Sequence, residues 1–231
     1  MAAEYTVRLP HSAILPRMEK RQLSPLDKLL ASVTNALRTV AAPAGRASRR
    51  NPSTGIEDAK LDAKQKAHAA GLMRVNHAGE IAAQALYQGH AAVARDKNTE
   101  DQMKRAADEE FDHLAWCEQR IHELGYEPSR LGPLWYAGAF AIGAASGALG
   151  DKWSLGFIAE TEKQVCSHLE SHLENLPPED ARSRAIVEQM RDEEALHGEN
   201  AVDAGAAELP RPIVRLMRAT AKVMTKTAYW V

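Results

Sequence analysis

Apolar residues recur at helical spacing through long stretches of the chain, and prolines and glycines separate these stretches. A short amphipathic segment at 25–40 comes first. Residues 62–95 contain no proline, and the next stretch opens with Asn98 or Thr99 as its predicted N-cap. The pattern predicts long helices at 62–95, 99–124, 152–176 and 179–207, and a last helix from about 212 to the C-terminus.

Composition supports this helical pattern. The chain has 231 residues, of which 41 are alanine and only 5% are aromatic. Because alanine is the best helix former and a poor strand residue, an all-α fold is predicted. The length suits one large domain with a substantial core.

Charge is distributed unevenly along the chain. The net charge is −2, which argues against a nucleic-acid binder. Residues 1–50 carry nine basic and three acidic side chains, whereas the remainder carries 20 and 28. We therefore predict a basic, proline-punctuated and partly disordered arm over 1–55, followed by one helical domain over 56–231.

Two cysteines, Cys117 and Cys166, are too few for a disulfide framework and fit a reducing compartment. The N-terminus shows no apolar secretory segment. Acidic residues in the first 30 positions weaken a mitochondrial transit peptide, although residues 38–50 have the composition of one. If the chain binds a bilayer, the expected location is the cytoplasmic side of a cell inner membrane, with the matrix side of the mitochondrial inner membrane as the alternative.

Two predicted helices carry the motif Glu-x-x-His, at Glu110–His113 and at Glu194–His197. Residues three apart share one helix face, so each pair can present an oxygen and a nitrogen to one point. Two such pairs occur readily by chance in a chain rich in Glu, so the motif alone is weak evidence for a metal.

The spacing of two lone glutamates strengthens that evidence. Glu80 lies opposite Glu110 across the break near residue 95, and Glu162 lies opposite Glu194 across Pro177-Pro178. In an antiparallel helical hairpin, residues equidistant from the turn lie at the same level. The order Glu, Glu-x-x-His, Glu, Glu-x-x-His is the set that a carboxylate-bridged two-metal bundle requires.

The surroundings of these residues agree with a buried site. Glu110, Glu162 and Glu194 lie on apolar stripes, where carboxylates are costly unless they are paired or bind metal. The alternative is a solvated charged face with surface histidines. Carboxylates with imidazoles suit iron that activates O₂, and manganese is possible on the same ligands.

Further side chains are candidates for orienting the ligands or meeting a substrate. Tyr87 lies two turns after Glu80 on the same face. The other candidates are His168, Asp192, Glu109, Asp112 and Glu193. For each of them, packing or ordinary surface exposure is the competing interpretation.

Residues 131–150 are 20 residues without a charge. Their length permits a membrane span, but their Gly and Ala content favours an interfacial segment or a close-packed core helix.

The last predicted helix repeats basic residues every three or four positions and ends in Tyr229-Trp230. Such a basic amphipathic helix is typical of a membrane surface, with an exposed packing helix as the alternative.

Several segments of the chain resemble the demethoxyubiquinone hydroxylases of ubiquinone biosynthesis. The resemblance covers about residues 60–231, and Lys163 stands where some members carry a second Glu. The matching segments are Asn76-His77-Ala78-Gly79-Glu80, Glu110-Phe111-Asp112-His113-Leu114, Pro133-Leu134-Trp135, Glu162 and Asp192-Glu193-Glu194-Ala195-Leu196-His197.

This resemblance implies a ferritin-like four-helix bundle with an extra apolar interfacial segment and a C-terminal basic helix. It implies two iron ions per chain, held by Glu80, Glu110 and His113 and by Glu162, Glu194 and His197, with Glu110 and Glu194 bridging. The implied enzyme is a peripheral membrane monooxygenase that hydroxylates 2-polyprenyl-3-methyl-6-methoxy-1,4-benzoquinol with O₂, with NADH as reductant.

Other ferritin-like functions stay open at this point. Iron oxidation or storage predicts cage assembly and no lipid affinity. A different lipid or RNA hydroxylase would use the same metal chemistry. The expected partners are the quinol and the membrane surface, together with proteins of ubiquinone biosynthesis or a second copy of the chain.

Overall fold

The computed structural model describes residues 25–41 and 47–231, and the rest of the predicted arm lies outside the described residues. The described residues form seven helices and no strand, which confirms the all-α class. The division of the chain at residue 55 stays a prediction. The helices are α1 Pro25–Ala41, α2 Ala63–Val93, α3 Lys97–Glu123, α4 Gly132–Ala148, α5 Asp151–Asn175, α6 Ala181–Asp203 and α7 Arg211–Ala228.

Four long helices form the bundle that positions the site. Short connections pair α2 with α3 and α5 with α6 as two hairpins, and the hairpins meet through α3 against α6 and α2 against α5. Buried apolar side chains from all four helices fill the centre, among them Met73, Ile121, Leu169 and Ile186. Helix α4 packs along α2, and α7 lies against α2 and α5.

Two glycines allow α4 to approach α2 at backbone distance. A Cβ at Gly89 would overlap the backbone of Phe140, and a Cβ at Gly143 would overlap the backbone of Leu86. Small residues let helix backbones meet closely, and Gly143 of the apolar segment serves this packing. Part of α4 nevertheless faces outward, with Leu134 and Ile142 exposed.

Helix α3 begins at Lys97, so the predicted N-cap at Asn98 or Thr99 is wrong. The backbone N–H of Glu100 donates to the carbonyl of Asp96, which closes the first turn earlier than the sequence indicated. Helix α6 ends at Asp203 rather than near 207, because the chain turns at Gly205 with a positive φ of 95°.

A buried ionic contact links two helices at the end of the bundle where α6 begins. Arg120 of α3 donates through Nε to Ser183 Oγ at 2.9 Å and through a terminal nitrogen to Asp180 at 2.8 Å. Asp180 is also the N-cap of α6 and accepts from the backbone N–H of Ser183. The contact therefore joins α3 to the start of α6 and fixes the level at which the two helices face each other.

In the part of the chain that the structure describes, no helix is both long enough and apolar enough to cross a membrane.

Candidate metal centre

Four buried side chains from three helices converge in the middle of the bundle. Glu80 comes from α2, Glu110 and His113 from α3, and Glu194 from α6. One ligand atom from each lies within 4.8 Å of those from the others. Such a group of three carboxylates and one imidazole can hold a metal ion.

Glu110 and Glu194 each lie between two imidazoles. Glu110 places Oε2 3.1 Å from Nδ1 of His113 and Oε1 3.0 Å from Nδ1 of His197. Glu194 places Oε1 3.1 Å from His113 Nδ1 and Oε2 3.1 Å from His197 Nδ1. Each carboxylate thus turns one oxygen to each histidine, which is the arrangement of a bridging ligand.

The remaining glutamates lie on the two sides of this pair. Glu80 places Oε2 3.8 Å from His113 Nδ1. Glu162 of α5 is buried and accepts a 2.7 Å hydrogen bond from the hydroxyl of Tyr87. We refer to Glu80 with His113 as the His113 half of the centre, and to Glu162 with His197 as the His197 half.

Each histidine donates its outer N–H to a carboxylate on the opposite helix. His113 Nε2 donates to Glu193 Oε2 at 2.6 Å, and His197 Nε2 donates to Glu109 Oε2 at 2.7 Å. These acceptors directly precede Glu194 and Glu110 in the sequence. Such a hydrogen bond orients an imidazole and makes its other nitrogen a better ligand.

Burial and like charge dominate the electrostatics of the terminal glutamates. Burial raises the pKa of both Glu80 and Glu162 well above the ordinary value, and the charges of Glu110 and Glu194 raise these pKa values further. Burial also raises the pKa of the Tyr87 hydroxyl, so this group stays a hydrogen-bond donor to Glu162.

The pKa values of the two histidines are also raised, but by their contacts with carboxylates and not by burial. Burial alone would lower the pKa of His197, but its contacts with Glu110 and Glu194 outweigh burial and raise the pKa to about 12. The pKa of His113 is raised for the same reason, since carboxylates surround it. Without metal, both imidazoles are therefore protonated on both ring nitrogens, and their positive charge partly balances the carboxylates.

The donor set fits two divalent cations. Glu162 Oε2 is buried and accepts no hydrogen bond from the described residues. Buried carboxylate oxygens without donors are costly unless a cation neutralises them. Four carboxylates and two imidazoles, with their outer N–H groups already satisfied, are the ligand types that iron or manganese takes.

Five of the six predicted ligand residues contact one another directly, and the sixth, Glu162, is buried and lines a cavity together with Glu194. Tyr87 joins them through Glu162. His168 does not contact the cluster; its ring lies 4.1 Å from the ring of His172, and the residue lines an apolar groove. Asp192 is exposed and pairs with the neighbouring Arg191, so the structure does not bring it to the cluster.

One contributor was not predicted from the sequence. Arg49 precedes the bundle and was assigned to the arm, but its guanidinium contacts Asp112 Oδ2 at 2.7 Å and Glu193 Oε1 at 2.6 Å. Ser48 adds a backbone N–H and its hydroxyl to Asp112. Neither Arg49 nor Ser48 lies in a recognisable motif. The one feature in the sequence that pointed toward this contact was the group of carboxylates beside the Glu-x-x-His motifs, which these two residues contact.

An apolar groove of about 1140 Å³ reaches the centre from one side, and Glu80 lies in its wall. Residues of α2, α4, α5 and α7 line this groove, with apolar surface predominating. They include Val75, Leu86, Trp135, Ile142, Phe157 and Leu216.

A four-helix bundle that gathers two Glu-x-x-His motifs and two further glutamates at its centre defines a ferritin-like protein with a carboxylate–histidine cluster that can hold metal. The family model described as "Ubiquinone biosynthesis protein COQ7" matches residues 67–228. The chain belongs to this family.

Curated relatives extend the match over nearly the whole chain. A Chromobacterium violaceum protein named 3-demethoxyubiquinol 3-hydroxylase is 57% identical over 204 residues, covering 88% of this chain and 98% of the relative. Proteins with the same name from Nitrosococcus oceani and Legionella pneumophila are 52% and 50% identical, covering 93% and 91% of this chain and 100% of each relative.

Proposed function

We propose that the chain is a di-iron monooxygenase that hydroxylates the ring of demethoxyubiquinol, 2-polyprenyl-3-methyl-6-methoxy-1,4-benzoquinol, in ubiquinone biosynthesis. Family membership and the shared name of the relatives support this reaction over iron storage. The observation that carries the metal chemistry is the pair of shared carboxylates, Glu110 and Glu194, each with one oxygen toward each imidazole.

Each half of the centre would hold one iron ion. Glu80 and His113 would serve one ion and Glu162 and His197 the other. Bound iron supplies the activation of O₂. The carboxylates of the four glutamates are buried in the centre of the bundle. The hydroxyl of Tyr87 holds Glu162 in position through its hydrogen bond.

The apolar groove supports a lipid substrate. A polyprenyl chain can bury apolar surface along α4 and α7 while the polar ring lies at the Glu80 end. NADH as the reductant follows from the family resemblance alone, and partner proteins or self-association stay predictions of the same kind.

We also propose that the protein binds a membrane surface through α4 and α7. Exposed apolar side chains project from both helices, at Leu134 and Ile142 and at Leu216 and Val223. Five exposed basic residues of α7 can meet anionic headgroups: Arg211, Arg215, Arg218, Lys222 and Lys226. This surface surrounds the groove, so a substrate in the bilayer would have a direct path to Glu80.

The proposed reaction is tested with purified, iron-loaded protein, a short-chain demethoxyubiquinol, a reductant and ¹⁸O₂. We expect one ¹⁸O atom in the hydroxylated ring, measured by mass spectrometry. Cells that lack the protein should accumulate demethoxyubiquinone. A normal ubiquinone pool in such cells, or product without the label, would contradict the proposal.

Membrane binding is tested by co-sedimentation with vesicles that contain phosphatidylglycerol. Replacing Leu216 and Val223 with serine should lower the bound fraction several-fold, because two exposed apolar anchors are lost. Val202→Ser is the matched control, since Val202 is equally exposed but lies on α6. Equal binding of all three proteins would contradict a role of α7.

A further inference from the structure

The two halves of the metal centre differ in what holds their histidines. Glu193, the acceptor of His113, has a side chain only 17% exposed, and it accepts from Arg49 at 2.6 Å and from Gln189 at 2.6 Å. Glu109, the acceptor of His197, is 54% exposed. Among the described residues, we find no second side chain that fixes Glu109 in this way.

Arg49 links several parts of the His113 half. Its guanidinium bridges Asp112 of α3 and Glu193 of α6, and it lies over the ring of Trp116 at 4.9 Å. The Trp116 ring in turn lies 5.4 Å from the His113 ring. Because Ser48 also donates twice to Asp112, the segment that carries Arg49 is fixed at two neighbouring residues.

In the His113 half, the terminal glutamate Glu80 is also gathered with the shared ligands. The four side chains whose ligand atoms lie within 4.8 Å of one another are Glu80, Glu110, His113 and Glu194. His197 Nδ1 lies as close to Glu110 and Glu194 as His113 Nδ1 does, so the halves differ at their terminal glutamates, because Glu162 is not in this group. Ligands that are already gathered lose less conformational freedom when a cation binds.

We propose that Arg49 is a positioning residue that holds His113 through Glu193 and makes the His113 half the first and tighter of the two metal sites. This inference rests on the proposed function only in taking the centre as a two-metal site. It gives the segment before the bundle a direct part in assembling the centre.

The test measures metal binding in two single-half backgrounds. His197→Gln leaves the His113 half, and His113→Gln leaves the His197 half. Arg49→Gln is added to each, and Mn²⁺ is titrated while free Mn²⁺ is followed by electron paramagnetic resonance. We expect Arg49→Gln to weaken binding about tenfold in the His113 half and to leave the His197 half unchanged.

Matched variants separate positioning from general damage. Arg50 is the exposed neighbour of Arg49, so Arg50→Gln should change neither half. Arg49→Lys should restore part of the affinity, since one ammonium can still reach one of the two carboxylates. Melting temperatures of the metal-free variants check that all of them fold.

Three results would overturn the inference: equal affinities for the Arg49→Gln and Arg50→Gln proteins, equal weakening in both halves, or a wild-type chain that binds no metal. The first two leave the proposed hydroxylation intact, because a two-metal centre would still be present. Conversely, absence of a hydroxylated product from a protein with two metals would contradict the proposed function and leave the role of Arg49 standing.

Discussion

The two halves of the metal centre share Glu110 and Glu194 but are supported at different ligands. In the His113 half, the histidine is held from outside by Glu193 and Arg49. In the His197 half, the better-supported ligand is Glu162, which accepts from the buried hydroxyl of Tyr87. The motif Glu-x-x-His is the same in both halves, so the difference comes from residues outside the motif.

This difference teaches that a sequence repeat does not make two equivalent sites. The outer acceptors occupy the same motif position, directly before a shared glutamate, yet the Glu193 side chain is 17% exposed and that of Glu109 is 54% exposed. A hydrogen bond in a covered site is stronger than one that competes with water. We therefore expect substitutions at corresponding positions of the two halves to have unequal effects.

The largest effect should come from a residue that both halves use. Glu194→Ala removes two carboxylate oxygens, one from each half. The positive charges of His113 and His197 then lose one of the carboxylates that balance them. We expect metal binding at least about 100-fold weaker and loss of hydroxylation, measured as metal per chain and as product. Glu188→Ala, an exposed position on the same helix, should retain both metals. Two bound metals in the Glu194→Ala protein would sink the assignment.

A smaller and unequal effect should come from the outer acceptors. Glu193→Gln should weaken the His113 half by up to about 100-fold, and Glu109→Gln should weaken the His197 half by about tenfold or less. The reason is that the amide of Gln is a weaker acceptor for the imidazole N–H, and Glu193 is the less exposed of the two acceptors. Stepwise Mn²⁺ titration separates the two values, and equal losses would remove the distinction between the halves.

Much of this centre could be predicted from the sequence. Glu80 and Glu162 were placed level with their partners by the position of the turns alone, because antiparallel helices of uniform rise preserve that level. The error at Asn98 and Thr99 did not disturb this result, since a shift of one or two residues in the turn is smaller than one helical turn.

The supporting contacts could not be predicted with the same certainty. Glu109 and Glu193 were candidates, but so were Asp112 and Asp192, and neighbouring helix positions point about 100° apart. Which neighbour meets the opposite histidine depends on how α3 rotates against α6. Arg49 was missed because its partners lie 63 and 144 residues away, and local sequence carries no information about such a contact.

The third effect is a dependence on pH. Metals bind neutral imidazole, whereas His113 and His197 hold raised pKa values in the metal-free protein, about 12 for His197. Each metal must therefore displace at least one proton, so affinity should rise about tenfold per pH unit between pH 6 and 8 for each proton released. Metal titrations at several pH values measure this slope.

Stability of the metal-free protein should move in the opposite direction. A histidine whose pKa is raised in the folded protein stabilises the fold. This contribution to the free energy of unfolding is fully present below the unfolded pKa of about 6.5, and it is lost as pH rises toward the folded pKa. The melting temperature without metal should therefore fall above pH 6.5. His197→Gln should lower the proton count of metal binding by one, while His122→Gln, at an exposed position, should not change it. A slope of zero in the wild-type protein would contradict the charge balance that we describe.

The smallest effect should come from the support of the His197 half at Glu162. Tyr87→Phe removes the 2.7 Å hydrogen bond and leaves both oxygens of Glu162 without a donor among the described residues. We expect binding to the His197 half to weaken by about 1 kcal/mol, or about fivefold, because the net value of one hydrogen bond is of that order. Tyr136→Phe is the control, since the Tyr136 hydroxyl donates to Gln88 and not to the cluster. If Tyr87→Phe weakened metal binding in the His113 half instead, the supports of the two halves would not be independent, and they would be coupled through the shared ligands Glu110 and Glu194.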